Sequence, residues 1–458
     1  MRRGTAREIP ITAQQQASAA ASGPTIAEII DGKKFGGFQF KIVALCLLAQ
    51  LVDGFDNQSS AFVAPALTGQ WHVARESLGP VFSAGAFGTL LGCLLIGPIG
   101  DVLGRKAVVV GSLALAAVLM AVTASVTSLE QLIAVRFVTG IPLGALIPGT
   151  VVVANEWSPA RGRAAMVTIM ACGFALGAIL GGQLSSVLLP AFGWQSVFYA
   201  GAAGTALIAV AVLLWMPESV RFLSLRPSEK KRARIAAILR KFDPALGAVN
   251  EKPEPAPPRG IGLVTGLFAQ DRGTVTLLLW AAFFMNALVL NFMTYWLPTI
   301  LTDAGLPAAV AIRTSTLFQL GGLVGVVLMG ALASRIGAWR LVVTGYLFSA
   351  AGVTLVGLLS GSGRNAAIAA AGFCVIGVQM SLAALTATLY PTAVRSTGTS
   401  WALGVGRFGS TIGPLVGGVL IGWHWGLPQL FGSIALASAC GFVLVLLLAR
   451  QVRVTARA

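Results

Sequence analysis

Twelve runs of predominantly apolar residues divide this chain, each about long enough to cross a bilayer. They fall near 40–65, 79–99, 107–127, 130–153, 163–189 and 194–216, then near 273–301, 311–333, 339–360, 364–389, 396–421 and 426–449. Only 10% of the 458 residues are charged, whereas a soluble domain carries about a quarter, so a string of soluble domains is excluded. Helices are the economical way across, because a backbone in lipid must satisfy its hydrogen bonds within its own segment. Runs this continuous also lack the two-residue alternation of barrel strands. The expected fold is an all-α membrane protein with twelve transmembrane helices in two pseudo-symmetric six-helix bundles.

The formal net charge of +16 is explained by where the charges lie. With the N-terminus inside, 27 lysines and arginines fall on the cytoplasmic side and three, Arg75, Arg313 and Arg364, fall outside. That bias sets both termini in the cytoplasm. The basic excess is therefore a topology signal and does not point to nucleic acid.

The expected organisation is a cytoplasmic tail over 1–37, a six-helix bundle over 38–216, a cytoplasmic linker over 217–272, a second bundle over 273–450 and a tail over 451–458. Pro253, Pro255, Pro257 and Pro258 mark the linker as irregular. Ahead of them Ile235, Ile238, Leu239 and Phe242 share one helical face, with Lys230, Lys231, Arg232 and Arg234 elsewhere. Two readings stay open: an amphipathic helix along the inner membrane surface, or a solvated basic linker. Cys46, Cys93, Cys172, Cys374 and Cys440 lie singly in apolar runs and read as small buried residues. His72 and His424 fall in outer loops, so no metal cluster is expected.

The halves repeat. GPIGDVLGRK, from Gly97 to Lys106, and GALASRIGAWR, from Gly330 to Arg340, are offset by 233 at both leading glycines. Gly181-Gly182 and Gly417-Gly418 recur at an offset of 236. Two corresponding halves are what alternating access requires. The loop over Gly97–Lys106 resembles the motif of the major facilitator superfamily, and the six-plus-six plan is similar to it over essentially the whole chain. In such a loop Gly97 and Gly104 permit close contact, and Asp101 can face a helix N-terminus in one conformation only. Arg105 can pair with Glu156 at the inner end of span 4. The plainer alternative is that these charges anchor short loops. Ser334 replaces the acid in the second copy.

Ionisable residues inside the runs are few. Asp53 lies about 20 Å into span 1 and Asp56 one turn beyond, on the same helical face. Arg136 sits in span 4 and Arg407 in span 11. A charge at such depth costs several kcal/mol unless it meets a partner or a cavity, which makes each a functional candidate. Arg136 is expected to pair with Asp56 or Asp53. Arg407 has no acid in its own half's interior, which leaves it for an anionic ligand or for helix carbonyls and Gln379. A guanidinium holds a carboxylate through two parallel hydrogen bonds.

LVDGFDNQSSAFVAPAL in span 1, RFVTGIPLGALIPGTVVVANEWSPARGR in span 4 and GVGRFGSTIGPLVGG in span 11 resemble the aromatic acid:proton symporter family. The resemblance implies import of an aromatic carboxylate, benzoate-like or hydroxybenzoate-like, driven by the proton gradient with no cofactor. It implies Asp53 and Asp56 as the coupling carboxylates and Arg407 as a substrate-anion candidate, and Arg136, as their expected partner, joins the coupling set. Phe55, Tyr295 and Trp296 are candidates for an apolar ring slot, together with Phe292, Phe318 and Trp401. Asn57, Asn291, Gln319 and Gln379, with Asn286, are candidates for ring substituents. The expected setting is the bacterial inner membrane, the partners protons and lipid, and the state a monomer. A proton-coupled efflux antiporter is the alternative. Its usual span 5 pattern is broken here by Ala178, although the intact form occurs in span 11 around Pro414. No intramembrane histidine, nucleophile elbow or phosphate loop points to an enzyme.

Overall fold

A computed structural model describes residues 26–33, 35–96, 99–224, 229–242, 265–269 and 272–455. It contains twelve helices long and apolar enough to cross a membrane, and no strand among the described residues. We number them α1 Gly37–Trp71, α2 Leu78–Leu95, α3 Arg105–Thr123, α4 Leu129–Trp157, α5 Arg163–Phe192 and α6 Gln195–Trp215. The second set is α7 Gly273–Asp303, α8 Ala308–Ile336, α9 Ala338–Leu358, α10 Gly361–Leu389, α11 Thr392–Gly422 and α12 Leu427–Thr455. Several overrun their apolar stretches. The 35 residues of α1 span about 50 Å, more than the hydrocarbon core, because a helix continues until a cap or a change of backbone stops it.

Those stops are local. At the start of α4 the Ser128 hydroxyl accepts from the Gln131 N–H at 3.3 Å. Gly104 opens α3 at φ 101° and Gly337 opens α9 at φ 85°, so the repeated glycines occupy the same left-handed position in both halves. In each half the same helices pair: α1 with α5 and α7 with α11, α2 with α4 and α8 with α10, α3 with α6 and α9 with α12. Across the halves α1 meets α7, α2 meets α11 and α5 meets α8.

The cores of the two halves differ by face. Toward the face opposite the chain ends, one cluster joins both halves, taking in Leu67 and Phe82 from the first and Tyr295, Trp296 and Phe431 from the second. Toward the face of the chain ends each half has a separate cluster, one around Trp157 and one around Tyr346 and Tyr390. The halves thus adhere at the far face and part at the terminal face.

Two segments at the terminal face pack on the first half. The helix Glu229–Phe242 is one of them. Ile235 and Ile238 are buried in the core of the first half, and the Phe242 ring stands 5.9 Å from Phe38 and 6.1 Å from Trp157. Its apolar face is already covered by aromatic residues at the ends of α1 and α4. Residues 26–33, assigned to a tail, also dock: Ile30 joins the same core, and Asp31 Oδ1 accepts from the Ala160 N–H at 2.7 Å. Among the cysteines, Cys46 and Cys374 are buried, whereas Cys440 is exposed on α12.

Candidate functional site

Asp53 and Asp56 sit on α1 where Gly54 allows that helix to lie on α5. A Cβ at Gly54 would collide with the Phe174 carbonyl. From α4, Arg136 reaches Asp56 through both ends of its fork, Nη1 to Oδ1 at 2.9 Å and Nη2 to Oδ2 at 2.7 Å. Nη2 also donates to the Asp56 backbone carbonyl at 3.3 Å. The pair is sealed, with Asp56 0% and Arg136 4% exposed.

Asp53 is equally buried at 3% exposure, but no described residue donates a hydrogen bond to it. The charges that act on it are Arg407, from α11 of the other half, and Asp56. The Arg407 guanidinium makes no hydrogen bond or ion pair among the described residues. Gln379, its alternative partner, instead accepts from Asn286 Nδ2 at 2.7 Å. Among the described residues each half therefore contributes one charge without a hydrogen-bonded partner, and the two lie within electrostatic reach of each other.

Tyr295 of α7 closes over the pair. Asn57, Arg136 and both aspartates lie within electrostatic reach of its hydroxyl, and its ring stacks on Phe82 at 4.9 Å and 17°. Trp296 stands perpendicular to Phe82 at 5.3 Å and donates to the Pro414 carbonyl at 3.0 Å. One turn outward, Gln58 donates to the Thr294 carbonyl at 2.8 Å and Gln319 donates to Gln58 Oε1 at 3.3 Å.

Other candidates lie apart. Phe55 packs inside its own half, its ring 3.1 Å from where a Cβ on Gly181 would lie. Phe292 meets Phe431 edge-on at 6.3 Å within the shared core, and Phe318 is buried there. Trp401 stacks on Trp280 at 5.7 Å and is half exposed. Asn291 donates to the Ala287 carbonyl of its own helix at 2.8 Å. Phe82 and Thr294 were not among the sequence candidates. Gln50, on the helical face of Asp53 and bonded to Thr150 at 2.7 Å, was also missed; its position three residues before Asp53 is the available signal.

At the terminal face, Gly97 and the Asp101 side chain lie outside the described residues. Arg105 folds over the backbone at Gly100, and Glu156 is half-buried in the last turn of α4. A further acid tightens this loop: Glu218 Oε1 accepts from the Lys106 N–H and the Ser219 N–H, both at 3.0 Å. It neutralises the positive end of α3, and a Cβ on Gly104 would fall 2.7 Å from its Oε2. Its signal was an acid following Pro217 at the end of span 6.

The family model described as Major Facilitator Superfamily matches residues 46–410, and again 314–457. The chain belongs to the Major Facilitator Superfamily. Relatives named as aromatic acid transporters match nearly the whole chain. The 4-hydroxybenzoate transporter PcaK of Pseudomonas aeruginosa is 35% identical over 92% of this chain and 95% of its own. The gallate transporter of Pseudomonas putida is 38% identical over 92% of this chain and 94% of its own. Among solved superfamily members, the xylose transporter XylE of E. coli in a partially occluded inward-open conformation superposes with a TM-score of 0.68 at 16% identity, covering 91% of this chain and 98% of its own. A bacterial homolog of the lysosomal transporter Spinster gives 0.67 at 13% identity, covering 93% and 98%. At that identity the likeness speaks for the superfamily fold alone.

Proposed function

We propose that the protein imports an aromatic carboxylate by proton symport, with alternating access of the two halves. The observation that carries this reading is that Asp56 is held by Arg136 while the buried Asp53 has, among the described residues, only Arg407, in the other half, as a cation within electrostatic reach. A substrate carboxylate and Asp53 compete for one guanidinium. Protonating Asp53 leaves Arg407 to the substrate, and the loaded centre then carries a proton with its anion. That pairing spares the anion the penalty of a negative interior, because the two charges cancel as they cross. Asp56 stays paired with Arg136, and Tyr295 and Asn57 hold the seam beside it. The relatives' substrates, 4-hydroxybenzoate and gallate, suit one guanidinium and an apolar seam.

In this reading the terminal face is cytoplasmic, the membrane is the bacterial inner membrane, and a monomer suffices. Arg105, Gly104 and Glu218, with Asp101, form the inner latch. Uptake of labelled 4-hydroxybenzoate, gallate and benzoate by cells expressing the chain tests it. Accumulation of at least one, abolished by a protonophore and not competed by benzamide, supports the reading. Export of preloaded aromatic acid with no uptake sinks it in favour of efflux.

A further inference from the structure

A cavity of about 1000 Å³ opens at the far face between the two halves. It is remote from the central charges: Thr68 in its wall lies twelve residues beyond Asp56 on α1, about 18 Å, with the shared aromatic core between. Its wall includes Arg75 and Glu76 from the first half, and Asp303, Arg364, Trp425 and Leu430 from the second. Arg75 Nη1 meets Asp303 Oδ2 at 2.6 Å, an ion pair that ties the loop before α2 to the end of α7 and so ties half to half. The Arg75 side chain is 51% exposed and that of Asp303 26%, so the pair stands in reach of solvent. Arg364 spends its Nε on the Leu359 carbonyl at 2.9 Å and is bound to no carboxylate among the described residues.

We propose that this vestibule captures the aromatic carboxylate before transport, the substrate replacing Asp303 on Arg75 and thereby undoing the tie between the halves. The proposal rests on an aromatic carboxylate being the substrate. Its chemistry is an exchange of like for like: one carboxylate leaves a guanidinium and another takes its place, with no change in charge on Arg75. An exposed ion pair is weak enough for an incoming anion to compete. The incomer brings what Asp303 lacks, a ring to set against Trp425 and Leu430, and Arg364 in the same wall offsets Glu76. Arrival at the vestibule and loosening of the far face then become one event, as alternating access needs.

The test is equilibrium binding of benzoate to the purified full-length protein in lipid nanodiscs, with benzamide as the neutral control. Arg407→Gln removes the central anion site and is expected to leave a second, weaker benzoate site that rejects benzamide. Adding Arg75→Gln should weaken that residual site by about tenfold or more. Adding Asp303→Asn instead should tighten it by about threefold or more, because Arg75 is then vacated. Loss of all benzoate binding in Arg407→Gln while the unmodified protein still binds would overturn the vestibule and leave the transport reading intact. Residual affinity indifferent to both Arg75→Gln and Asp303→Asn would also overturn it. No benzoate binding by the unmodified protein defeats both.

Discussion

Arg136 holds Asp56 in a two-pronged grip at 2.9 and 2.7 Å, and Asp53, one helical turn away on the same face, is left to a cation in the other half. The two carboxylates thus have different work. Asp56 is a fixed counterion whose charge is cancelled inside its own half. The cation within reach of Asp53 belongs to the other half.

Breaking the grip should therefore damage folding before it damages coupling. Arg136→Ala or Asp56→Ala strands a buried charge and should cost about 3–5 kcal/mol. Expression level and thermal denaturation in detergent measure this. The double variant Asp56→Asn, Arg136→Gln removes both charges and should recover most of the stability without recovering transport. If the singles are as stable as the double, the pair is not a stabilising counterion unit.

Arg407→Lys keeps the charge and loses the fork. With one charged hydrogen bond of about 1.5–3 kcal/mol removed, apparent KM for 4-hydroxybenzoate should rise about tenfold or more. An unchanged KM would mean that the guanidinium does not hold the carboxylate.

Gly54→Ala drives a methyl into the Phe174 carbonyl where α1 lies on α5. Overpacking of this kind costs about 1–3 kcal/mol and should lower the melting temperature. Gly111→Ala, where an added Cβ meets nothing within 4 Å, is the control and should be neutral or slightly stabilising.

Glu218→Ala leaves the Lys106 N–H without its side-chain acceptor at the start of α3. A lost charged cap costs about 1–2 kcal/mol, so the variant should melt lower, and any change in KM through the latch should come together with that loss. A change in KM with stability unaltered would contradict the cap.

Much of the architecture is legible in the sequence because lipid leaves the chain so few options. Twelve long apolar runs have no other home, and the glycine spacing of the two loops reappears as Gly104 and Gly337 in one backbone conformation. Asp53, Asp56, Arg136 and Arg407 stand out as candidates because each is a charge in an apolar run. Which aspartate Arg136 would take was not legible, since i, i+3 spacing puts both on one face and only the rotation of α1 against α4 decides. The same missing rotation sends Phe55 toward α5 and α6. Phe82 and Thr294 carried no charge to flag them, and they matter only because Phe82 of α2 and Gln58 of α1 both meet α7 across the seam. The linker helix showed its apolar face but not what covers it; Phe38 and Trp157, distant in sequence, supply the cover.

The most direct test of Asp53 as the proton-carrying partner of Arg407 is uptake of labelled 4-hydroxybenzoate into proteoliposomes under an imposed pH gradient, acid outside. The unmodified protein should accumulate the anion above its equilibrium level. Asp53→Asn should exchange it for internal substrate but never concentrate it. Gradient-driven accumulation by Asp53→Asn at the level of the unmodified protein would contradict the account.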